Sequence, residues 1–402
     1  MHSTCSDGRL SPTELVRKAA ANGVRIMALT DHDTMAGVEE AAEAGAQLGV
    51  RVIPGVEISA FASKPSDPLQ GEVIHILAYF APGGPSNPGD FHRALSRIRT
   101  GRLGRAKCMV DKLRALGKPI KLSRVVEIAG PGVAPGRPHV ARALLEAGHV
   151  ASEKDAFGLY LRDDGPAFAR GCEIPALEAI PLIRRCGGVS VLAHPWSIRK
   201  DTMAIVGRLA AAGLDGIEVY QDSTKITAYG PLADLYKLLK VGGSDFHETG
   251  AADEREPGKI PFQPAAAEKL LLAAKPIWEE ALRLRVRDFI QSGPGCSGVE
   301  EGGLEACANL SQTNGREALS EETPRRGEEN VQSASADSEG TKGGPKYMTW
   351  TFSRIEGSRT LLTPLLLTRS DRKIVEVEAK RLECRLRDLE RTGYKYFAIS
   401  PG

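Results

Sequence analysis

The stretch Val24-Arg25-Ile26-Met27-Ala28-Leu29-Thr30-Asp31-His32-Asp33 places a short β-rich run directly before a histidine that is flanked by two aspartates. A run of this length and composition, preceded by the helix-ending Gly23, predicts a buried strand. From Leu10 to Gly250, similar runs alternate with helical runs. This alternation is typical of a parallel sheet with crossover helices, so the sequence predicts an α/β fold.

The neighbouring segments extend this pattern in both directions. Ser11-Pro12-Thr13-Glu14 combines a capping serine, a proline for the first turn and a glutamate that can reach back to the cap, which predicts a helix ending near Gly23. Residues 37–49, rich in Ala and Glu, predict the next helix. Further strands are predicted at Val50–Pro54, Val73–Phe80, Gly188–Pro195, Asp215–Tyr220 and from Val241 onwards.

Three segments depart from the alternation. Residues from about 91 to 178 are mostly helical, which predicts a helical subdomain inserted in a domain that covers residues 1–291. Residues 292–346 contain no Ile and no aromatic side chain, and we expect a disordered linker there because too little apolar surface is available for burial. The last segment, 347–402, has apolar residues at helical spacing from Lys373 to Arg391, which predicts an amphipathic helix of unknown function.

Histidines and carboxylates gather at the ends of the predicted strands. His2, His32, His194 and His247 lie just before, at or just past a strand end, and His75 lies inside a strand. Since the carboxyl ends of parallel barrel strands share one rim, these side chains are expected to lie close together. Carboxylates accompany them in the sequence, namely Asp7, Asp31, Asp33, Glu57 at its own strand end, and Asp245.

This set of side chains predicts a metal centre. Imidazole and carboxylate ligands without thiolate suit Zn, Mn or Fe(II), and the number of candidates implies two or three divalent ions. Such a cluster lowers the pKa of a bound water and stabilises the oxygens of a phosphoryl displacement. With three ions against Asp7, Glu57 and Asp245, the site stays positive and attracts a phosphate ester. Asp31 and Asp33 could support the ligands or cap a helix.

Arginines within the predicted helical subdomain offer phosphate ligands. Arg137 lies in Gly136-Arg137-Pro138-His139 and could clamp a phosphate with two parallel hydrogen bonds, or could start an exposed helix with Pro138 at its first position. We favour the phosphate clamp. Arg102 and Arg105 belong to an arginine run that is more typical of a solvated helix face.

Composition narrows the class of protein. The net charge of +2 is too small to predict a general nucleic-acid or membrane surface. Seven cysteines without a C-x-x-C pair argue against a disulfide framework and indicate an intracellular, reducing compartment. No apolar run is long enough for a membrane span, and residues 1–20 show no signal peptide, although an upstream targeting peptide stays open. No protein partner is predictable.

The ordered motifs resemble a known superfamily. They are His2–Gly8 (H-S-T-C-S-D-G), Thr30–Thr34 (T-D-H-D-T), Gly55–Ser59 (G-V-E-I-S), His75–Leu77 (H-I-L), Gly136–His139 (G-R-P-H), Leu192–Pro195 (L-A-H-P) and Gly242–His247 (G-G-S-D-F-H). Together they resemble the PHP (polymerase and histidinol phosphatase) superfamily over about residues 1–291. More narrowly, they resemble its branch of 3',5'-nucleoside bisphosphate phosphatases and 5'-to-3' exoribonucleases of the RNase AM type.

The resemblance implies a distorted seven-stranded (β/α)7 barrel with up to three metal ions. The implied ligand sets are His2, Glu57 and Asp245 for the first ion, Glu57, His75 and His194 for the second, and Asp7, His32 and His247 for the third. Arg137 and His139 match the motif that binds the substrate phosphate. The implied reaction is hydrolysis of a phosphate ester in adenosine 3',5'-bisphosphate or in short 5'-phosphorylated RNA.

One departure from the family pattern concerns the amino terminus. The first family motif is H-x-H preceded by a strand, whereas here Met1 stands at the spacer position before His2. We therefore expect the first strand and one ligand of the first ion to be missing. The preferred explanation is a truncated gene model, and the second is an inactive paralogue. A histidinol-phosphate-type phosphatase and a catalytically impaired PHP-like binding protein stay open as alternatives.

Overall fold

The computed structural model describes residues 1–62, 72–163, 165–171, 173–251 and 254–291, together with 348–350, 352–353, 365–367, 369–391 and 394–401. All these residues belong to one structural unit. The predicted disordered linker, 292–346, lies outside the described residues.

Up to residue 241 the helices and strands alternate, except that the second and third strands are consecutive and four helices follow the third strand. In chain order they are α1 Pro12–Ala21, β1 Ile26–Leu29, α2 Val38–Leu48, β2 Arg51–Phe61, β3 Val73–Phe80, α3 Pro88–Ala115, α4 Leu122–Ala129, α5 Arg137–Glu146, α6 Glu153–Ala156, β4 Ile174–Pro175, α7 Ala176–Arg185, β5 Gly188–Leu192, α8 Thr202–Ala211, β6 Gly216–Glu218, α9 Ser223–Leu235 and β7 Leu239–Val241. A π-helical turn covers Phe157–Leu161, and a 3₁₀ turn covers Pro195–Ser197. The later elements are α10 Pro264–Gln291, β8 Met348–Trp350, β9 Phe352–Ser353, β10 Leu365–Leu367, α11 Arg369–Arg381, β11 Cys384–Arg391 and β12 Tyr394–Pro401.

Seven strands form one sheet in the order β1-β2-β3-β5-β6-β7, with β4 pairing beside β2. This sheet, with its surrounding helices, confirms the predicted α/β class and the distorted barrel. The sheet is mixed rather than parallel, because β3 runs antiparallel to both β2 and β5. The connection from β2 to β3, residues 62–72, is too short for the crossover that a parallel pair needs.

The second strand is longer than predicted, which changes the position of one site residue. β2 continues through Gly55 to Phe61, and Glu57 pairs with Leu77 of β3. Glu57 therefore lies inside a strand, and the expectation that it ends one was wrong. The reason is that the antiparallel partner β3 continues the backbone ladder beyond Pro54, where the apolar run stops.

The first two residues connect the two ends of the sheet. The Thr30 amide, just after β1, donates to the Met1 carbonyl oxygen at 3.2 Å, and the His2 amide donates to the Phe246 carbonyl oxygen at 2.9 Å. Phe246 follows β7 and is buried. This segment therefore places His2 at the rim, between the residues that follow β1 and those that follow β7.

The helical segment between β3 and β4 has its own apolar cluster, which includes Met109, Leu113, Val140 and Leu144. This packing supports our proposal of an inserted subdomain, but its end differs from the predicted one. Residues 174–178 belong to β4 and α7 instead, and β4 pairs with β2 of the barrel.

The predicted carboxyl-terminal helix is shorter than expected. α11 ends at Arg381, Glu383 has a left-handed φ of 55°, and the chain continues as β11, which pairs antiparallel with β12. The prediction of a helix up to residue 391 was wrong because a strand partner outweighs the helical spacing of the leucines. α11 packs against α10, where Val375 is fully buried. No helix in the described part of the chain is long and apolar enough to cross a membrane.

Candidate metal centre

The eight predicted ligands meet at one rim of the barrel. His2 and Asp7 belong to the amino-terminal turn, His32 follows β1, Glu57 and His75 lie on the paired strands β2 and β3, His194 follows β5, and Asp245 and His247 follow β7. The rings of His32, His75 and His194 form a row with centroid spacings of 4.9 and 5.0 Å. The rim thus concentrates imidazoles and carboxylates from distant parts of the sequence.

One group of ligand atoms surrounds the His2 ring. His2 Nε2 lies 3.1 Å from Glu57 Oε2 and 3.1 Å from Asp245 Oδ1. Both His2 and Glu57 are almost fully buried. These three side chains offer ligand atoms close enough together to hold one cation.

A second group gathers at the other oxygen of Glu57. Glu57 Oε1 lies 2.5 Å from His75 Nδ1 and 3.0 Å from His194 Nε2. The two imidazole nitrogens are themselves 3.2 Å apart. Glu57 therefore lies between the two groups, with one carboxylate oxygen in each.

A third group surrounds Asp7. Asp7 Oδ1 lies 3.4 Å from His247 Nε2, and Asp7 Oδ2 lies 3.7 Å from His32 Nε2. His2 Nδ1 approaches the same carboxylate at 3.8 Å. These four residues offer ligand atoms within reach of a single cation.

The electrostatics of the centre reflect buried carboxylates among imidazoles. Burial raises the pKa of Glu57, but His32 and His75 outweigh it and hold that pKa well below the usual range. Burial lowers the pKa of His2, but hydrogen bonds to Asp245 and Glu57 outweigh it and raise that pKa to about 10. In the same way, Glu57 raises the pKa of His194 to about 9 against the effect of burial. The buried carboxylates thus favour positive charge at this centre, which divalent cations can supply.

The residues present fit divalent cations. His2 Nδ1 and His32 Nδ1 are buried without a hydrogen-bond partner, and an unpaired buried polar atom costs about 1–3 kcal/mol. A cation beside Asp7 would give His2 Nδ1 a partner, because that nitrogen lies 3.8 Å from Asp7 Oδ1. The donors are imidazoles and carboxylates without thiolate, a set that suits Zn, Mn or Fe(II).

Asp31 supports the amino-terminal turn. Its carboxylate accepts hydrogen bonds from Ser3 N at 2.6 Å, Ser3 Oγ at 2.7 Å and Ser6 Oγ at 2.6 Å. All three residues are buried. Of the two roles left open for Asp31, these contacts fit support of the ligands, because they hold the turn that carries His2 and Asp7.

Arg102 is a residue that sequence reasoning missed. Its guanidinium forms an ion pair of 2.6 Å with Asp33 and donates to Ser59 Oγ at 2.7 Å, with only 12% of the side chain exposed. Arg99 donates to the Asp33 carbonyl oxygen at 3.0 Å. The expectation of a solvated arginine face was therefore wrong for Arg102. The three-residue spacing of the two arginines, which places them on one face of α3, was the available signal.

The expectation of a solvated arginine face was also wrong for Arg105, whose side chain is buried and hydrogen-bonded. Its guanidinium pairs with Glu173 at 2.9 Å and its Nε donates to the Ala169 carbonyl oxygen at 3.0 Å. Burial lowers the pKa of Arg105 to about 10, and the nearby Glu173 opposes this effect. Arg102 and Arg105 thus face the inside because the rim and the segment before β4 cover this part of α3, whereas Arg93 and Arg114 of the same helix are exposed.

A cleft opens beside Asp7 and His32. Arg99, Arg102 and His139 line it together with these two ligands. It combines guanidinium groups with one edge of the metal centre, which is the arrangement that an anionic ester requires.

The predicted phosphate-binding pair does not lie together at the cleft. Arg137 does not line it, since its NH1 atom pairs with Asp163 at 2.5 Å and its guanidinium lies near the Phe157 ring. His139 does line it, but its Nδ1 accepts from the Gly136 amide at 2.9 Å. Burial lowers the pKa of His139 to about 4, so the ring is neutral near pH 7.

Glu218 is a second residue that sequence reasoning missed. This buried carboxylate, at the end of β6, accepts from the His194 amide at 2.9 Å. Burial raises its pKa to about 7, although the contacts with His194 oppose this effect. Its place at a strand end, like that of the ligands, was the available signal.

Comparison with known proteins agrees with this geometry. Residues 1–99 match the family model of the PHP domain. The chain is 35% identical to a 5'-3' exoribonuclease of Haemophilus influenzae over 61% of this chain and 88% of that protein. It is 32% identical to a 3',5'-nucleoside bisphosphate phosphatase of Chromobacterium violaceum over 69% of this chain and 94% of that protein.

A solved structure agrees as well. An amidohydrolase from Chromobacterium violaceum, with bound sulfate and no metal, superposes with a TM-score of 0.60 at 30% identity, covering 68% of this chain and 94% of that one. The rim, its ligands and these relatives lead to one conclusion. The chain belongs to the PHP family of metal-dependent phosphoesterases, and it is a hydrolase that uses divalent metal ions.

Proposed function

We propose that this hydrolase cleaves phosphate esters in nucleotides or short 5'-phosphorylated RNA, as a 3',5'-nucleoside bisphosphate phosphatase or a 5'-to-3' exoribonuclease does. The observation that carries the proposal is the centre of seven clustered ligand residues, joined by His194 through Glu57, beside a cleft lined by Arg99 and Arg102. A cationic centre and adjacent guanidiniums fit a substrate that carries more than one phosphate. The names of the two relatives support the nucleotide class.

The ligand roles follow the three groups of the centre. His2, Glu57 and Asp245 would hold the first ion, Glu57, His75 and His194 the second, and Asp7, His32 and His247 the third. When bound, two or three ions of Mn, Zn or Fe would activate water and polarise the phosphoryl group. Glu57 would contribute to both the first and the second ion, because its Oε2 faces His2 and its Oε1 faces His75 and His194.

The arginines would orient the substrate. Arg102 is held by Asp33 and Ser59, so its guanidinium is fixed before a ligand arrives. Arg99 uses one nitrogen on the Asp33 carbonyl oxygen, which leaves its remaining donors for a phosphate. We expect these two residues to bind a phosphate that is not cleaved.

Arg137 and His139 remain a predicted phosphate-binding pair with different demands. To bind a phosphate, the Arg137 guanidinium has to break its ion pair with Asp163. His139 also contacts the Ser6 backbone, so it can hold the turn that carries Asp7. In addition to its predicted contact with the substrate phosphate, His139 would therefore position Asp7.

Phosphate release from adenosine 3',5'-bisphosphate and from 5'-phosphorylated RNA trinucleotides, measured with added Mn²⁺, tests the proposal. We expect release that a chelator abolishes and that Glu57→Gln reduces by more than about 100-fold, the upper range for loss of a supporting residue. Histidinol phosphate serves as the comparison substrate and is expected to react more slowly. Lack of release from both nucleotide substrates with Mn²⁺, Zn²⁺ and Fe²⁺ would overturn the proposal.

A further inference from the structure

An aromatic cluster continues the row of histidine rings beyond His194. The Trp196 ring centroid lies 6.4 Å from that of His194, and the Tyr229 centroid lies 6.1 Å from that of Trp196. Trp196 and Tyr229 are half-buried, so part of each ring faces solvent. The cleft with the arginines lies beside His32, at the other end of the row.

A lysine accompanies the aromatic rings. Lys225 and Tyr229 are four residues apart on α9 and therefore share one face of the helix. The Lys225 ammonium lies 5.5 Å from the centre of the Trp196 ring. No carboxylate lies within ion-pair distance of the Lys225 ammonium in the described residues, and the charged group nearest to it in the chain is Asp222, the capping residue of α9, whose pKa the lysine helps to lower.

The backbone fixes Trp196 relative to the metal centre. Ser197 Oγ lies 2.9 Å from His194 Nδ1 and also donates to the His194 carbonyl oxygen at 2.9 Å. Pro195 is buried at the start of this 3₁₀ turn. A ligand that contacts Trp196 is therefore held at a defined distance from His194.

We propose that Trp196, Tyr229 and Lys225 form a subsite that stacks a nucleobase of the substrate and binds the next phosphate along the chain. The inference rests on the proposed function, since it names how the same centre would hold a nucleotide. An aromatic ring with an adjacent cation suits single-stranded nucleic acid, because every base has a π-face and every linkage has a charge. The subsite and the arginine cleft would then hold two ends of one substrate.

Equilibrium binding of a 5'-phosphorylated dinucleotide that contains 2-aminopurine tests the inference on chelator-treated protein, in which no turnover occurs. Stacking on Trp196 quenches the fluorescence of the bound base. We expect Trp196→Ala to remove this quenching and to weaken binding about tenfold, while Trp196→Phe retains most of the affinity. Lys225→Ala should weaken binding and lower the slope of log affinity against log salt by about one. Lys269→Ala, at an exposed lysine on α10, is the matched control.

The outcomes separate this inference from the proposed function. The subsite is refuted, whatever the phosphate assay shows, if the wild type binds without quenching or does not bind at all. It is equally refuted if affinity and salt slope are unchanged by Lys225→Ala, or if quenching and affinity are unchanged by Trp196→Ala. If the dinucleotide is quenched through Trp196 but no phosphate is released with any metal, the subsite stands and the proposed function fails. The quenching of the wild type and the effect of Lys225→Ala keep the test valid even if Trp196→Ala does not fold.

Discussion

Asp31 offers a direct test of how the amino-terminal turn supports the metal centre. Its carboxylate accepts three buried hydrogen bonds from Ser3 and Ser6. Asp31→Asn keeps the shape but removes the charge. Hydrogen bonds to a charged group contribute about 1.5–3 kcal/mol and neutral ones about 0.5–1.5 kcal/mol. Three bonds that each lose about 1 kcal/mol predict a free energy of unfolding that is lower by about 3 kcal/mol.

The same substitution should weaken metal binding, because the turn carries His2 and Asp7. Loss of an outer-shell partner typically costs about 10–100-fold in metal affinity. Urea unfolding of the metal-free protein and calorimetric titration with Mn²⁺ measure the two effects. The matched control is Ser11→Ala, which removes the capping box of α1 and should cost about 1 kcal/mol of stability without changing metal affinity. Wild-type stability and wild-type affinity in Asp31→Asn would refute the reasoning.

Two further predictions concern pH and packing. Since the pKa of His139 is about 4 in the folded protein and about 6.5 when unfolded, the unfolded state binds the proton first as the pH falls. The free energy of unfolding of the wild type should therefore decline by up to about 3 kcal/mol from pH 6.5 to pH 4. Urea unfolding of His139→Asn should show a smaller decline over the same pH range. The same pH dependence in both proteins would contradict this prediction. In α11, Val375→Ala should lower the free energy of unfolding by about 2 kcal/mol, because this side chain is fully buried. Val377→Ala, at a position that is 59% exposed, should change it by less than about 0.5 kcal/mol. Equal effects of the two substitutions in urea unfolding would exclude the observed packing on α10.

The ligands could be predicted from the sequence because most of them follow or precede short apolar runs. His32 lies shortly after the end of β1 and His194 shortly after the end of β5, so the place of each residue in the chain indicates its place at the rim. Glu57 was recognised as a site residue, but its position inside β2 depends on the antiparallel ladder with β3. Local sequence carries no information about that partner.

Other parts of the site depend on how distant elements pack. Arg102 faces Asp33 because α3 lies against the rim, and a run of arginines alone is equally compatible with a solvated face. The end of α11 at Arg381 likewise depends on the pairing of β11 with β12. In both cases a contact distant in sequence decides between two locally acceptable structures.

The hydrogen bonds of the first two residues have a consequence for how the two edge strands of the sheet, β1 and β7, are held together. Met1 and His2 connect the ends of β1 and β7 through one backbone bond on each side. The side chain of His2 and those of Asp245 and His247, on either side of Phe246, belong to the metal centre. A cation held by His2 and Asp245 would therefore add a further link between the amino-terminal residues and the segment that follows β7. The free energy of cation binding would then add to the free energy of unfolding. The metal-bound protein would therefore be both competent for catalysis and more stable than the metal-free protein.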